Sequence, residues 1–101
     1  MLRGTTPTVT MTLPEDYDLD SASVAYMSFG QGNEDLFDIP LADLTISDNV
    51  VTAHLTQTQT LKLDANVMVK IQLRWKDSDG EAYGTIIRKV TVDEIIKGGE
   101  I

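Results

Sequence analysis

Only one histidine, His54, and no cysteine stand in this chain, so the side chains that most often do chemistry near neutral pH are almost absent. A multi-histidine zinc site, a thiolate metal site and a disulfide framework are excluded by composition. A Ser-His-Asp arrangement would have to use His54. That residue lies in Val50–Thr56, where Val51, Ala53 and Leu55 alternate with Thr52 and His54. It reads as an exposed histidine on the polar side of a strand rather than as a base.

Carboxylates are the next candidates. Glu15, Asp16, Asp18 and Asp20 crowd one short stretch and could offer Ca²⁺ the hard oxygen ligands it takes. No glycine or amide pattern accompanies them, so a solvated strand connection is the simpler reading. Asp77-Ser78-Asp79-Gly80-Glu81 has the flavour of a calcium loop. Aligning Gly80 with the glycine of an EF-hand, however, puts Trp75 and Ile86 where the first and last ligands belong, and the flanks are strands. This segment is therefore read as a hairpin turn. A glycosidase-type carboxylate pair needs a geometry that abundance alone does not supply. The glycines at 30, 32, 80, 84, 98 and 99 precede no helix and form no phosphate-binding loop. No catalytic, cofactor-binding or metal-ligating residue is assigned.

What remains is surface. Val67, Val69, Ile71, Leu73 and Trp75 alternate with Met68, Lys70, Gln72, Arg74 and Lys76, the period of a half-buried strand. Trp75 is expected in the core with Val69, Ile71 and Leu73. The polar row Lys70, Gln72, Arg74 and Lys76 holds three of the chain's eight basic residues and is the first candidate interaction surface. Tyr83, near the hairpin, and Tyr17, in the acidic loop, are the candidates for exposed aromatic contacts.

These side chains need a β scaffold, and the rest of the sequence supplies one. Thr8–Leu13 alternates Val9, Met11 and Leu13 with three threonines, and Pro14 ends it. Ala22–Phe29 is a second strand with apolar residues on both sides, so its inward face is unassigned. Gly30–Asn33 is a turn. Leu36–Ile39, closed by Pro40, reads as an edge strand, and Leu41–Leu44 as a turn or one helical turn. Asp48-Asn49 turns the chain into Val50–Thr56. The polar Thr56–Thr60 then reads as a crossover between two sheets that delivers Leu61 and Leu63, and Asp64–Asn66 is another turn. Ala82–Val92 returns antiparallel to Val67–Lys76. Arg88 would share a face with Ile86, Val90 and Val92, so a bulge near Gly84 or a change of exposure is expected. Asp93–Lys97 could close a final helical turn before Gly98-Gly99. About seven short strands without a long helix predict an all-β, immunoglobulin-like antiparallel β-sandwich, with a small closed barrel as the alternative.

Residues 1–101 make one domain, with 42% hydrophobic and 24% charged residues. A formal net charge of −8 leaves no basic stripe to displace counterions from nucleic acid and disfavours anionic membranes. No apolar run approaches the roughly 20 residues of a membrane helix. The opening Met-Leu-Arg-Gly-Thr-Thr-Pro lacks the features of a signal peptide. Starting with Met, the chain reads as a free-standing small gene product, and the lack of cysteine leans towards an intracellular or assembly-protected life.

Three segments together carry a resemblance: Arg3-Gly-Thr-Thr-Pro-Thr-Val-Thr-Met-Thr-Leu-Pro14, Leu55-Thr-Gln-Thr-Gln-Thr-Leu-Lys-Leu63, and Val69-Lys-Ile-Gln-Leu-Arg74 with Asp79-Gly80 and Val90-Thr-Val-Asp-Glu-Ile-Ile-Lys97. Over nearly its whole length the chain resembles small, uncharacterised proteins from prophage regions of gut Firmicutes. More distantly, in layout, it is similar to the immunoglobulin-like N-terminal domain of phage baseplate upper proteins. The resemblance implies a non-enzymatic structural or assembly protein, cytoplasmic during synthesis and destined for the virion. Its implied partners are phage structural proteins or copies of itself. It carries over no catalytic, cofactor or binding residue. A carbohydrate- or host-surface-binding module, with or without Ca²⁺, is the alternative.

Overall fold

In the computed structural model, which describes residues 1–101, the period-two segments pair into two antiparallel sheets. The strands are β1 (Thr8–Thr12), β2 (Ala22–Gln31), β3 (Glu34–Pro40), β4 (Leu44–Ser47), β5 (Val50–His54), β6 (Val69–Asp77), β7 (Ala82–Gly84) and β8 (Arg88–Val90). One sheet runs β1-β5-β4. The other runs β3-β2-β6, with β7 and β8 both pairing with β6. Two antiparallel sheets sharing one core make the expected sandwich. The strand order is its own, since in immunoglobulin domains the first strand lies beside the second, whereas β1 here pairs with β5.

The core follows from the alternation. Val69, Ile71, Leu73 and Trp75 of β6 face Met27 and Phe29 of β2, Phe37 and Ile39 of β3, and Val51, Ala53 and Leu55 across the sandwich. Phe29 stacks on Phe37 with ring centroids 4.7 Å apart. The ambiguous β2 is resolved by its neighbours. Its register sets Met27 opposite Leu73 and Phe29 opposite Ile71, so Ala25, Met27 and Phe29 go inside while Val24 and Tyr26 face water.

Several boundaries depart from the sequence expectations. Val67 is exposed and outside β6, because Asn66 takes a left-handed backbone (φ 65°) that turns the chain just before it. The Gly30–Asn33 turn narrows to Gly32-Asn33, with Gly30 and Gln31 continuing β2. The β6–β7 loop is Ser78-Asp79-Gly80, closed by Gly80 N–H donating to the Asp77 carbonyl at 3.1 Å. Gly80 is left-handed there (φ 87°), the position that asks for glycine in a three-residue hairpin. Thr56–Thr60 holds a true helical turn, α1 (Gln57–Thr60). The Thr56 hydroxyl accepts from Gln59 N–H, and the Gln59 amide oxygen accepts from Thr56 N–H, a capping box written as Thr-x-x-Gln.

The return strand breaks as expected and is split in two, and the stretch before the Asp48-Asn49 turn forms β4, which together make eight strands. Arg74 pairs with Gly84 but Ile71 pairs with Arg88, which leaves one extra residue on the return side. The Thr85 side chain and backbone bond Leu73 and Gln72 across this gap. Ile86 is 72% exposed, so it does not join the core face. Arg88 lies opposite Ile71 in register yet is exposed. The expected helical turn at Asp93–Lys97 does not form. Asp93 forms a parallel bridge with Leu2 instead, its N–H donating to the Met1 carbonyl at 2.8 Å and its carbonyl accepting from Arg3 N–H. Clamping the N-terminal segment holds this backbone extended.

One glycine is forced by contact rather than by φ. A Cβ on Gly30 would meet the Glu34 carbonyl oxygen at 2.5 Å, beside the register shift that follows Phe29. Gly30→Ala must open that bulge, and the expected loss is about 1–3 kcal/mol. Urea unfolding of the variant checks it, with Gly32→Asn as the control, since nothing lies within 4 Å of Gly32 and asparagine tolerates its left-handed backbone.

Candidate interaction surface

The outer face of the larger sheet collects the polar row and gives it neighbours. Across the strands, Val24 lies beside Lys76 and Ala82; Pro40 beside Tyr26, Arg74 and Gly84; Asp38 beside Ser28 and Gln72; and Asp35 beside Gly30, Lys70 and Lys89. Tyr26 is 47% and Val24 38% exposed. With Asp35, Asp38, Arg74, Lys76 and Ala82 they line a shallow depression of about 410 Å³.

Of the sequence-selected row, Arg74 and Lys76 are exposed. Lys70 and Gln72 are half-buried and already used locally: Lys70 Nζ donates to the Gly32 carbonyl at 2.9 Å and Gln72 Nε2 to the Thr85 carbonyl at 2.8 Å. Sequence reasoning missed Val24, Tyr26, Asp35, Asp38 and Lys89 as members of the face. The signal for Val24 and Tyr26 was the period of β2, which stayed unreadable while both its faces looked apolar; Asp35 and Asp38 on β3 and Lys89 on β8 reach this face only through register shifts.

The charges on this face are segregated. The basic side chains lie on β6 and β8, and Asp35 and Asp38 lie on the edge strand β3. The fold contains a single ion pair, between the Met1 amino group and Asp93 at 3.8 Å, so no Lys or Arg side chain has a carboxylate partner. Burial, together with the hydrogen bond and the charge of Asp38, raises the pKa of Asp35 above the ordinary carboxylate value. Two acids side by side at a sheet edge are a surface without its counter-charge.

A second cluster forms at the end of the sandwich. Tyr17 meets Trp75 edge-on at 5.3 Å, and Tyr83 stacks on Trp75 at 5.5 Å. Asp16, Asp18, Asp77 and Asp79 surround them in a hollow of about 270 Å³. Trp75 is only 3% exposed. Tyr17 is half-buried rather than free, and Tyr83 is 40% exposed. The Asp77 carboxylate is committed to its own loop, accepting from Asp79 and Glu81 N–H at 2.9 and 3.0 Å. Desolvation, then the charges of Asp77 and Glu81, raise the pKa of Tyr83, so its hydroxyl keeps its proton into the alkaline range. The acidic loop itself, with Asp48 and Asn49, borders an open hollow, and no group of three potential ligands is arranged to hold a metal ion. His54, the lone histidine, is exposed and hydrogen-bonded through Nδ1 to the Thr8 hydroxyl at 3.0 Å.

Fold and surface together define an all-β sandwich with one charge-segregated outer sheet face and an acidic, aromatic-capped end. Comparison with protein-family models, with curated proteins and with solved structures gave no match.

Proposed function

We propose that this chain is a non-enzymatic structural or assembly protein of a phage or prophage tail or baseplate, working through protein–protein contacts made by the outer face of its larger sheet. The observation that carries this reading is the unpaired charge on that face. Arg74, Lys76 and Lys89 stand in a strongly acidic chain without any carboxylate partner, around the exposed Tyr26 and Val24. Complementary charge at an interface fixes register and suppresses wrong partners, and tyrosine and arginine are enriched where binding energy concentrates. The assembly context rests on the sequence resemblance. The protein would be made in the cytoplasm and work in the virion.

The test is incorporation into particles released from the cells that encode the chain. The wild-type protein is expected in purified particles, and Arg74→Glu/Lys76→Glu is expected to reduce its content at least about tenfold, the scale of losing two interfacial charges, with the fold intact by circular dichroism. Absence of the wild-type protein from particles would overturn the assembly reading. Full incorporation of the charge-reversed variant would remove the outer face from it.

A carbohydrate- or host-surface-binding module is the second reading, favoured by aromatic rings beside carboxylates at the acidic end. It ranks below the first because a sugar needs an open ring face, and the Trp75 face is already covered by Tyr83. Glycan arrays run with and without chelator test it; binding that Tyr83→Ala abolishes would promote it.

A further inference from the structure

We infer that the partner of the outer sheet face is a second copy of this chain, held face to face about a two-fold axis that lies in the interface between the two sheets, parallel to the strands and over the midline between β2 and β6. This deepens the contact-surface reading and rests on it.

The argument is one of register. The rows across the face read Asp35–Gly30–Lys70–Lys89, Asp38–Ser28–Gln72, Pro40–Tyr26–Arg74–Gly84 and Val24–Lys76–Ala82. Three of the four rows are polarised, with an acid or apolar groups on the β3–β2 side and bases on the β6–β8 side, while the Asp38 row ends on the neutral Gln72. A two-fold axis along the strands lays each row over its own reverse. Asp35 then faces Lys89 of the other copy, Tyr26 faces Arg74, Ser28 faces Gln72, and Val24 faces the aliphatic stem of Lys76. Every contact occurs twice, as an isologous interface requires. Tyr26 over Arg74 is a cation–π arrangement, and two copies of it sit beside the axis.

The same charges exclude the other ways of pairing. Turning the axis across the strands sets β3 over β3 and β6 over β6, acid against acid and base against base. Joining two β3 edges into one continuous sheet brings the Asp35 and Asp38 carboxylates of both copies together. Pro40 at the end of that edge also lacks the N–H such a ladder would use. Like charges so placed oppose association, which leaves the strand-parallel axis.

Within one chain, Asp35 and Lys89 are separated by three strand spacings, about 14 Å, too far for an intramolecular pair to respond to their exchange. Charge exchange is therefore the test. Sedimentation velocity from about 10 µM to about 1 mM covers the affinity range of a small polar interface, and the wild-type chain is expected to pass from monomer to dimer within it. Asp35→Lys and Lys89→Asp, each alone, are expected to weaken the dimer at least about tenfold. The double variant, which restores both pairs with sign reversed, is expected to return to within about threefold of wild type. Circular dichroism and thermal melts confirm that each variant is folded. A wild-type chain that stays monomeric throughout, assemblies larger than dimers, or singles that leave the dimer unchanged would each overturn the pairing. A monomer whose Arg74→Glu/Lys76→Glu variant still loses particle incorporation would overturn self-pairing alone and leave the contact surface standing.

Discussion

Trp75→Ala is expected to cost about 3–5 kcal/mol, roughly a fifth or more of the stability of an ordinary domain. Trp75 lies opposite the small Ala25 on one side and Tyr83 on the other, so it alone fills the width of the sheet at this end. Its ring also packs against the rings of two neighbouring elements. β7 has three residues and meets β6 at three positions, and Tyr17 projects from a loop between β1 and β2 that has no strand partner. Deleting the indole opens a cavity and removes a ring contact from both. Tyr83→Ala, which removes a ring exposed on one side, should cost about 1 kcal/mol. Urea unfolding followed by far-UV circular dichroism measures both, since Trp75 is the only tryptophan and fluorescence is lost with it. A Trp75→Ala cost no larger than that of Tyr83→Ala would show that the cluster is not structural, and would return it to consideration as a binding platform.

The contrast between these aromatics shows what the sequence makes legible. Trp75 belongs to an uninterrupted alternation, so its burial could be read directly. Tyr17 stands in a loop, where no period exists, and its contact with Trp75 depends on how the loop folds back over the end of the sandwich. The same holds for the outer face. Lys70, Gln72, Arg74 and Lys76 were found because β6 alternates cleanly. Asp35 and Asp38 were not, because an extra residue at the bulge after Phe29 puts both on one face despite their odd spacing. The fold class survives such local shifts because the long strands still each present one apolar row to the core. A surface composed from four strands does not, because its membership depends on every register at once.

The Thr-x-x-Gln capping box was legible in principle, since the spacing alone specifies it. Read as a polar run, Thr56–Thr60 gave only a crossover. The Asp93–Lys97 segment failed for the opposite reason. Its local pattern allowed a helical turn, but the N–H and carbonyl of its first residue, Asp93, are taken by Met1 and Arg3 from the far end of the chain, a competition no window of local sequence contains.

Gln31 is the position where such a long-range demand matters most. It is 7% exposed, and its whole amide is used. Nε2 donates to the carbonyls of Asp64 and Val67 at 2.9 and 3.1 Å, and Oε1 accepts from Asp64 N–H at 2.8 Å. The side chain ties the end of β2 to the turn that launches β6. Gln31→Leu keeps the volume but leaves that N–H and two carbonyls without their partner, at an expected cost of about 2–4 kcal/mol. Gln31→Glu distinguishes hydrogen bonding from packing. A carboxylate can still accept from Asp64 N–H but faces the two carbonyls with a charge in place of two donors, so its folded pKa must rise above the unfolded value. The native state then binds the proton more tightly, and the penalty is full at neutral pH and shrinks as pH falls through that raised value towards about 4, the unfolded range of glutamate. The difference in unfolding free energy between Gln31→Glu and wild type, followed from neutral pH downwards, should therefore narrow. A difference that does not change with pH would mean that Gln31 acts by filling space, and that something else holds the turn before β6.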